Sequence, residues 1–155
     1  MVAITFLIGL LVLLMLQIQP FMVNMEREIP AIFTITAIES VDELTGYLNY
    51  DSRLTLLHTG NADYQNRNLK IKFLRNGMPL SCIITTVNGH DFISTSHNGI
   101  QWMGGSGCSG VMWSPGERIC IDFSDGTFHA GDRVQMDVID KVSNATISRY
   151  EYKFE

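Results

Sequence analysis

Residues 68–77 read NLKIKFLRNG, and their alternation decides the fold of most of the chain. Leu69, Ile71 and Phe73 fall on one side of an extended backbone and Lys70 and Lys72 on the other, because successive side chains of a strand point to opposite faces. The stretch closes on Asn76-Gly77, a pair that accepts the left-handed backbone of a tight hairpin turn. Outward from it the same period recurs. RVQMDVID (133–140) sets Val134, Met136 and Val138 inward and Gln135 and Asp137 outward, and ISRYEYKFE (147–155) puts Tyr150, Tyr152 and Phe154 on a shared face. RLTLLH (53–58), SCIITTV (81–87) and RICIDF (118–123) are further short strands, and AIFTITAI (31–38) is the first of the series. Gly60, Asn88-Gly89, Pro115-Gly116, Asp125-Gly126 and Gly131 separate them. Many short strands at this spacing, joined by glycine-rich turns, predict a sandwich or barrel.

Before Pro30 the pattern is different. MVAITFLIGLLVLLML (1–16) is broken only by Thr5 and Gly9, and the first charge of the chain is Glu26. A helix apolar on every side must be buried in a bilayer or among other helices. Residues 1–23 as a helix span roughly 35 Å, at about 1.5 Å per residue, against about 30 Å of hydrocarbon. The strictly apolar part covers only about 24 Å. The expectation is a transmembrane or filament-core helix over 1–25 and an extracellular β-sandwich domain over 26–155. The predicted fold class is therefore a single N-terminal apolar α-helix followed by an all-β antiparallel sandwich head. A cleaved secretory signal is the alternative, although no basic residue precedes the run and no small-x-small site follows it. Without basic flanks, charge does not set the orientation.

A chain of 155 residues with 46% apolar composition can bury one core in addition to such an anchor. The net charge of −5 and the lack of a Lys/Arg cluster argue against nucleic acid as a partner. Cys82, Cys108 and Cys120 form no CxxC pair and have no zinc spacing. In an extracellular domain one disulfide and one free thiol is the natural count, with Cys108–Cys120 the first candidate pair; three buried thiols is the alternative.

The motifs that suggest chemistry are weak. GSGCSG (105–110) matches G-x-G-x-x-G, but a dinucleotide fingerprint needs a helix after it. Trp113, Ser114, Pro115 and Gly116 follow instead, so a loop is expected. The stretch 88–109, rich in Gly, Ser, His and Asn, reads as a long surface excursion. His90-Asp91, His97, Asp125 and His129 lack the spacing of a known zinc motif, so no metal is expected. Ser106 and Ser109 do not sit in a nucleophile elbow, and no carboxylate pair stands out. No catalytic residue, cofactor or enzymatic activity is expected. Asn144-Ala145-Thr146 is the one N-glycosylation acceptor sequence, placed between two strands.

MVAIT followed by a Leu/Ile/Val run resembles the middle of the N-terminal helix of archaeal type IV pilins, the pilin and archaellin-like family. There a Ser-Pro-x-Ile-Gly-x-x-Leu stretch precedes Met-Val-Ala-Ile-Thr. The resemblance implies that Met1 lies inside the family helix, with leader, prepilin-peptidase site and first helical turns upstream. LTLLHTGNADYQNRNLKIKFLRNG (54–77) is similar to the family segment in which a strand ends in His-x-Gly before an acidic turn, here His58, Gly60 and Asp63. Asn61-Ala62 departs from the usual Gly-Gly. WSPGERICIDF (113–123) resembles the family's Trp-x-Pro-Gly turn at Trp113, Pro115 and Gly116. FHAGDRVQMDVIDKVSNATIS (128–148) resembles its C-terminal hairpin, opened by Gly131-Asp132. Pro20 and Pro30 break what would be a longer stalk.

The resemblance implies a structural subunit of a type IV pilus-like filament, used in adhesion, homo-oligomeric with identical or related pilins. It would be anchored in the cytoplasmic membrane before assembly and displayed at the cell surface afterwards. The helix would pack through Gly9, Leu10 and Leu13, the glycine allowing close approach. Two other readings share the plan. One is a membrane-tethered β-sandwich binding module that uses its Gly/His/Asn loop. The other is an accessory or stator protein of the archaeal motility filament.

Overall fold

The alternating stretches become strands, and the glycine-containing separators become turns. The computed structural model describes residues 28–155 apart from 43. The segment 1–25, with Gly9, Leu10 and Leu13, lies outside the described residues. In chain order the strands are β1 (Phe33–Val41), β2 (Leu48–His58), β3 (Tyr64–Gln65), β4 (Leu69–Arg75) and β5 (Met78–Ile84), then β6 (Ile100–Gly104), β7 (Met112–Trp113), β8 (Arg118–Phe123), β9 (Arg133–Asp140) and β10 (Ala145–Lys153). Two four-stranded antiparallel sheets, ordered β1-β2-β8-β6 and β10-β9-β4-β5, pack face to face, and β3 pairs with β7 in a small ribbon.

The expected fold class, an apolar N-terminal helix carrying a sandwich head, is corrected to an antiparallel β-sandwich. Among the described residues the helical elements are one four-residue turn, α1 (Ser106–Ser109), and two three-residue 3-10 turns at Asn66–Asn68 and Ser94–Ser96. No helix among them is long and apolar enough to cross a membrane. The physical reason is the pattern after Pro30, where apolar residues recur every second position and turn residues interrupt before any helical period is established. The loop expected at 105–110 is corrected in the opposite sense: one α-helical turn fits between Gly105 and Gly110.

The inward faces are those the alternation predicts. Leu69, Ile71 and Phe73 of β4 and Val134, Met136 and Val138 of β9 are each buried. They meet Leu54, Leu56, Ile119, Ile121 and Phe123 of the opposite sheet in one core. Phe73 and Phe123 bridge the sheets edge to face, with ring centroids 5.2 Å apart, and Phe128 packs on Phe123 at 5.2 Å. Each such side chain contributes about 1.5–3 kcal/mol through burial. Asn76 (φ 53°) and Gly77 (φ 80°) make the β4–β5 turn, both in the left-handed region as a primed two-residue hairpin demands.

On one side of the sandwich a single buried hydroxyl bridges the two sheets. The backbone N–H groups of Ile32 and Phe33 both donate to Oγ of Ser148 at 3.0 Å, and Ser148 is fully buried. An irregularity in β10 between Thr146 and Ser148 turns that hydroxyl toward β1. Arg149 N–H donates to the Pro30 carbonyl at 3.1 Å, extending the joint to the point where the chain enters the head.

Candidate interaction site

β1 and β2 are joined at the end of the sandwich opposite Pro30, and the nine residues of β1 carry the chain about 30 Å from one end to the other. The joining turn is held from within. Oδ1 of Asp42 accepts from Leu44 N–H (3.0 Å), Thr45 N–H (2.6 Å) and the Thr45 hydroxyl (2.7 Å), while Asp42 N–H donates to the Tyr47 carbonyl at 2.9 Å. The Thr45 hydroxyl, followed by the backbone N–H groups, holds the Asp42 carboxyl below its ordinary range. These bonds tie both sides of the turn to the Asp42 carboxylate and backbone.

Its apolar side chains nevertheless face solvent. Leu44 is 90% exposed, Tyr47 77%, Leu48 62% and Val41 40%. Four large apolar side chains exposed on one short hairpin are a concentration of the kind that marks an interaction site. Asp42 and Asp125 lie beside it, which gives the patch an acidic border.

The base of this knuckle is strained. Val41 pairs with Leu48 and Glu39 with Arg53, so β2 carries three more residues than β1 between those two pairs. Within that bulge Tyr50 (φ 56°) and Ser52 (φ 61°) occupy the left-handed region, at a cost on the order of 1–3 kcal/mol each. The β8–β9 loop holds them there. Gly126 N–H donates to the Tyr50 carbonyl (2.7 Å), Phe128 N–H to Ser52 Oγ (3.0 Å), and Asn49 Nδ2 to Asp125 (3.1 Å). His129 packs on the Tyr50 ring at 4.6 Å. The bulge tilts the hairpin out of sheet register, so its apolar residues miss the core.

The residues singled out from sequence are dispersed. His97 is buried, donating from Nδ1 to the Ile93 carbonyl (2.8 Å) and accepting at Nε2 from the Thr85 hydroxyl (3.1 Å), with Phe92 stacked on it. His90 donates to the Ser109 carbonyl at 3.0 Å, and Asp91 receives both arms of Arg67 at 2.7 and 3.1 Å. Asp125 and His129 lie in the β8–β9 loop, where Asn49 donates to Asp125 and His129 packs on Tyr50. No group of three His, Cys, Asp or Glu side chains suited to a metal exists among the described residues. The segment 88–109 is not a surface excursion throughout: it supplies β6 and α1, and Asn88, His97 and Cys108 are buried. Ser106 Oγ accepts from Arg118 N–H and the Ser109 hydroxyl donates to the Ser106 carbonyl, so both serines close the α1 turn.

Cys82, Cys108 and Cys120 carry free thiols. Burial pushes the Cys82 and Cys108 thiols up from their ordinary value, and Cys108 donates to the Gly105 carbonyl at 3.3 Å. Asn144 is exposed in the β9–β10 turn. His58 is a clasp: its Nδ1 accepts from Gly60 N–H (3.0 Å), its Nε2 donates to the Ala62 carbonyl (2.8 Å), and its ring packs against Phe33 and Trp113. That explains His-x-Gly here, since a Cβ at Gly60 would lie 2.8 Å from the imidazole. The hairpin 41–48 is the feature that sequence reasoning missed. Its signal was apolar residues spaced 41, 44, 47, 48, which fits no strand face.

No family model matches the sequence, and no curated protein matches it. Among solved structures the chain is similar to the archaellum periplasmic stator protein FlaG from Sulfolobus acidocaldarius, at 12% identity and a TM-score of 0.42, over 77% of this chain and 95% of that one. It is also similar to the archaellum periplasmic stator protein complex FlaF and FlaG from the same organism, at 10% identity and a TM-score of 0.43, over 84% and 94% of the two chains.

Proposed function

We propose that this chain is an accessory, stator-like component of an archaeal surface-filament system rather than its repeating subunit. In this reading the apolar N-terminal stretch holds it at the cytoplasmic membrane, the β-sandwich stands on the outer side, and the head binds another protein. The observation that carries the reading is the exposed apolar hairpin, Val41 to Leu48, at the end of the head opposite Pro30. A head tethered at the Pro30 end would present the hairpin to a partner met end-on. The resemblance of MVAIT and of the turns at His58, Trp113 and Gly131 to archaeal pilins supports the filament context. A non-catalytic role is supported by the use of His58, His90 and His97 as clasps on backbone carbonyls.

The test is made on full-length protein in its own cells. The protein is expected in the envelope fraction after filaments are sheared away, and Leu44→Asp/Tyr47→Asp is expected to abolish filament function at unchanged protein level. Recovery as the principal component of sheared filaments would establish the filament-subunit reading instead. Unchanged function in the double variant would remove the hairpin from the mechanism.

A further inference from the structure

We propose that Asn144 is a modification site that receives an oligosaccharide on Nδ2. The acceptor sequence Asn144-Ala145-Thr146 is the only one in the chain, and the structure leaves it uncommitted. Asp140 satisfies the turn without it: Oδ1 accepts from Val142 N–H (3.2 Å), and Oδ2 accepts from Ser143 N–H (3.0 Å) and the Ser143 hydroxyl (2.6 Å). Asn49, Asn66, Asn68 and Asn76 each use Nδ2 in a hydrogen bond. The Asn144 amide and the Thr146 hydroxyl have no hydrogen-bond partner among the described residues. Asn144 is exposed at φ 55° on the turn, Val142 beside it is 78% exposed, and only a methyl group at Ala145 separates acceptor from hydroxyl. The amide nitrogen stands in the turn and the half-exposed threonine hydroxyl at the second residue of β10, so both lie within a transferase's reach at this end of the sandwich.

The donor is a lipid-phosphate-linked oligosaccharide. Nδ2 of Asn144 attacks the anomeric carbon of its first sugar and forms the N-glycosidic bond. The bond from that carbon to the phosphate oxygen breaks, the lipid phosphate departs with the electron pair, and one amide proton passes to the transferase base. No oxidant or reductant is needed. The turn lies at the same end of the sandwich as Pro30, opposite the apolar hairpin, so the glycan clothes the base of the head and leaves Leu44 and Tyr47 uncovered. The inference rests on the outward placement of the head in the proposed function, because the donor must meet a folded or folding head on that side.

The experiment is mass spectrometry of the full chain purified from its own cells, reading the tryptic peptide 142–149, together with protease treatment of intact cells. The expected result is a peptide 142–149 carrying a saccharide mass. That mass should be lost in Asn144→Asp, which keeps a residue tolerant of left-handed backbone, and in Thr146→Val, and retained in Thr146→Ser. An unmodified peptide from a head that external protease cleaves overturns the glycan and leaves the outward placement standing. An unmodified peptide from a head protected until the cells are opened overturns both.

Discussion

Ser148→Ala is expected to loosen the joint that ties the entering chain to the sandwich. The serine Oγ is the acceptor for two backbone donors, Ile32 N–H and Phe33 N–H, each at 3.0 Å, in a fully buried position. Alanine removes the acceptor and puts nothing in its place. A buried donor left without a partner costs about 1–3 kcal/mol. The Phe33 bond is buried and bears the full cost, whereas the Ile32 bond is only partly buried and water recovers some of it. The two together come to about 2–4 kcal/mol, or about 6–12 °C in Tm for a chain of this length. Trp113 is a suitable reporter because it is fully buried and stacks on Phe33 with centroids 4.3 Å apart. Thermal and urea unfolding followed by its fluorescence should show the loss. Ser143→Ala, which removes only exposed bonds around Asp140, should change stability by no more than about 0.5 kcal/mol. A Tm for Ser148→Ala within about 2 °C of the wild type would refute the reasoning and mean that the pairing of β1 with β2, not the Ser148 acceptor, holds the entering chain.

Two further outcomes follow from the same geometry. Gly107→Ala should destabilise by about 1–3 kcal/mol, because the added methyl would lie 2.5 Å from Trp113 Nε1 and 2.9 Å from Ile119 Cγ1; an unchanged urea midpoint would show that the α1 turn yields freely. Acid should weaken the outer face of the β9–β10 pair. Burial pushes the Asp137 carboxyl up, but the two 2.7 Å bonds from Arg149 and the bond from Gln135 outweigh it and hold the group below its ordinary value. A carboxyl depressed in the folded state stabilises fully above its unfolded value, about 3.9, and that stability is lost as pH falls through the lower folded value. Urea midpoints should therefore decline below about pH 4, and less steeply in Arg149→Gln; equal slopes would dissociate the pair from acid stability.

The strands and their inward faces could be read in the sequence because period two is a local property. Leu69, Ile71 and Phe73, or Val134, Met136 and Val138, declare a buried face whatever they pack against. Turns set by left-handed backbone were equally legible, since Asn76-Gly77, Gly116, Gly126 and Gly131 all take positive φ. The candidate interaction site was legible only as a spacing, 41, 44, 47 and 48, that fits no strand face. The exposure of Leu44, Tyr47 and Leu48 follows from the bulge at Tyr50 and Ser52, which the distant loop 124–129 enforces.

The roles of the histidines and of Ser148 were hidden for the same reason. His97 meets Thr85 and His90 meets Ser109 across 12 and 19 residues, and Ser148 meets Phe33 across 115. A spacing rule can recognise ligands only when one regular element carries them, and these partners come from different elements. The sequence by itself determined an antiparallel β head, its buried faces, its turns and the position of an Asn-x-Thr acceptor sequence, because each depends on neighbours within a few positions. Only the tertiary structure decided which apolar residues stay outside, which polar ones become clasps, and that a single turn of helix fits at 106–109, because those outcomes depend on contacts between residues far apart in the chain.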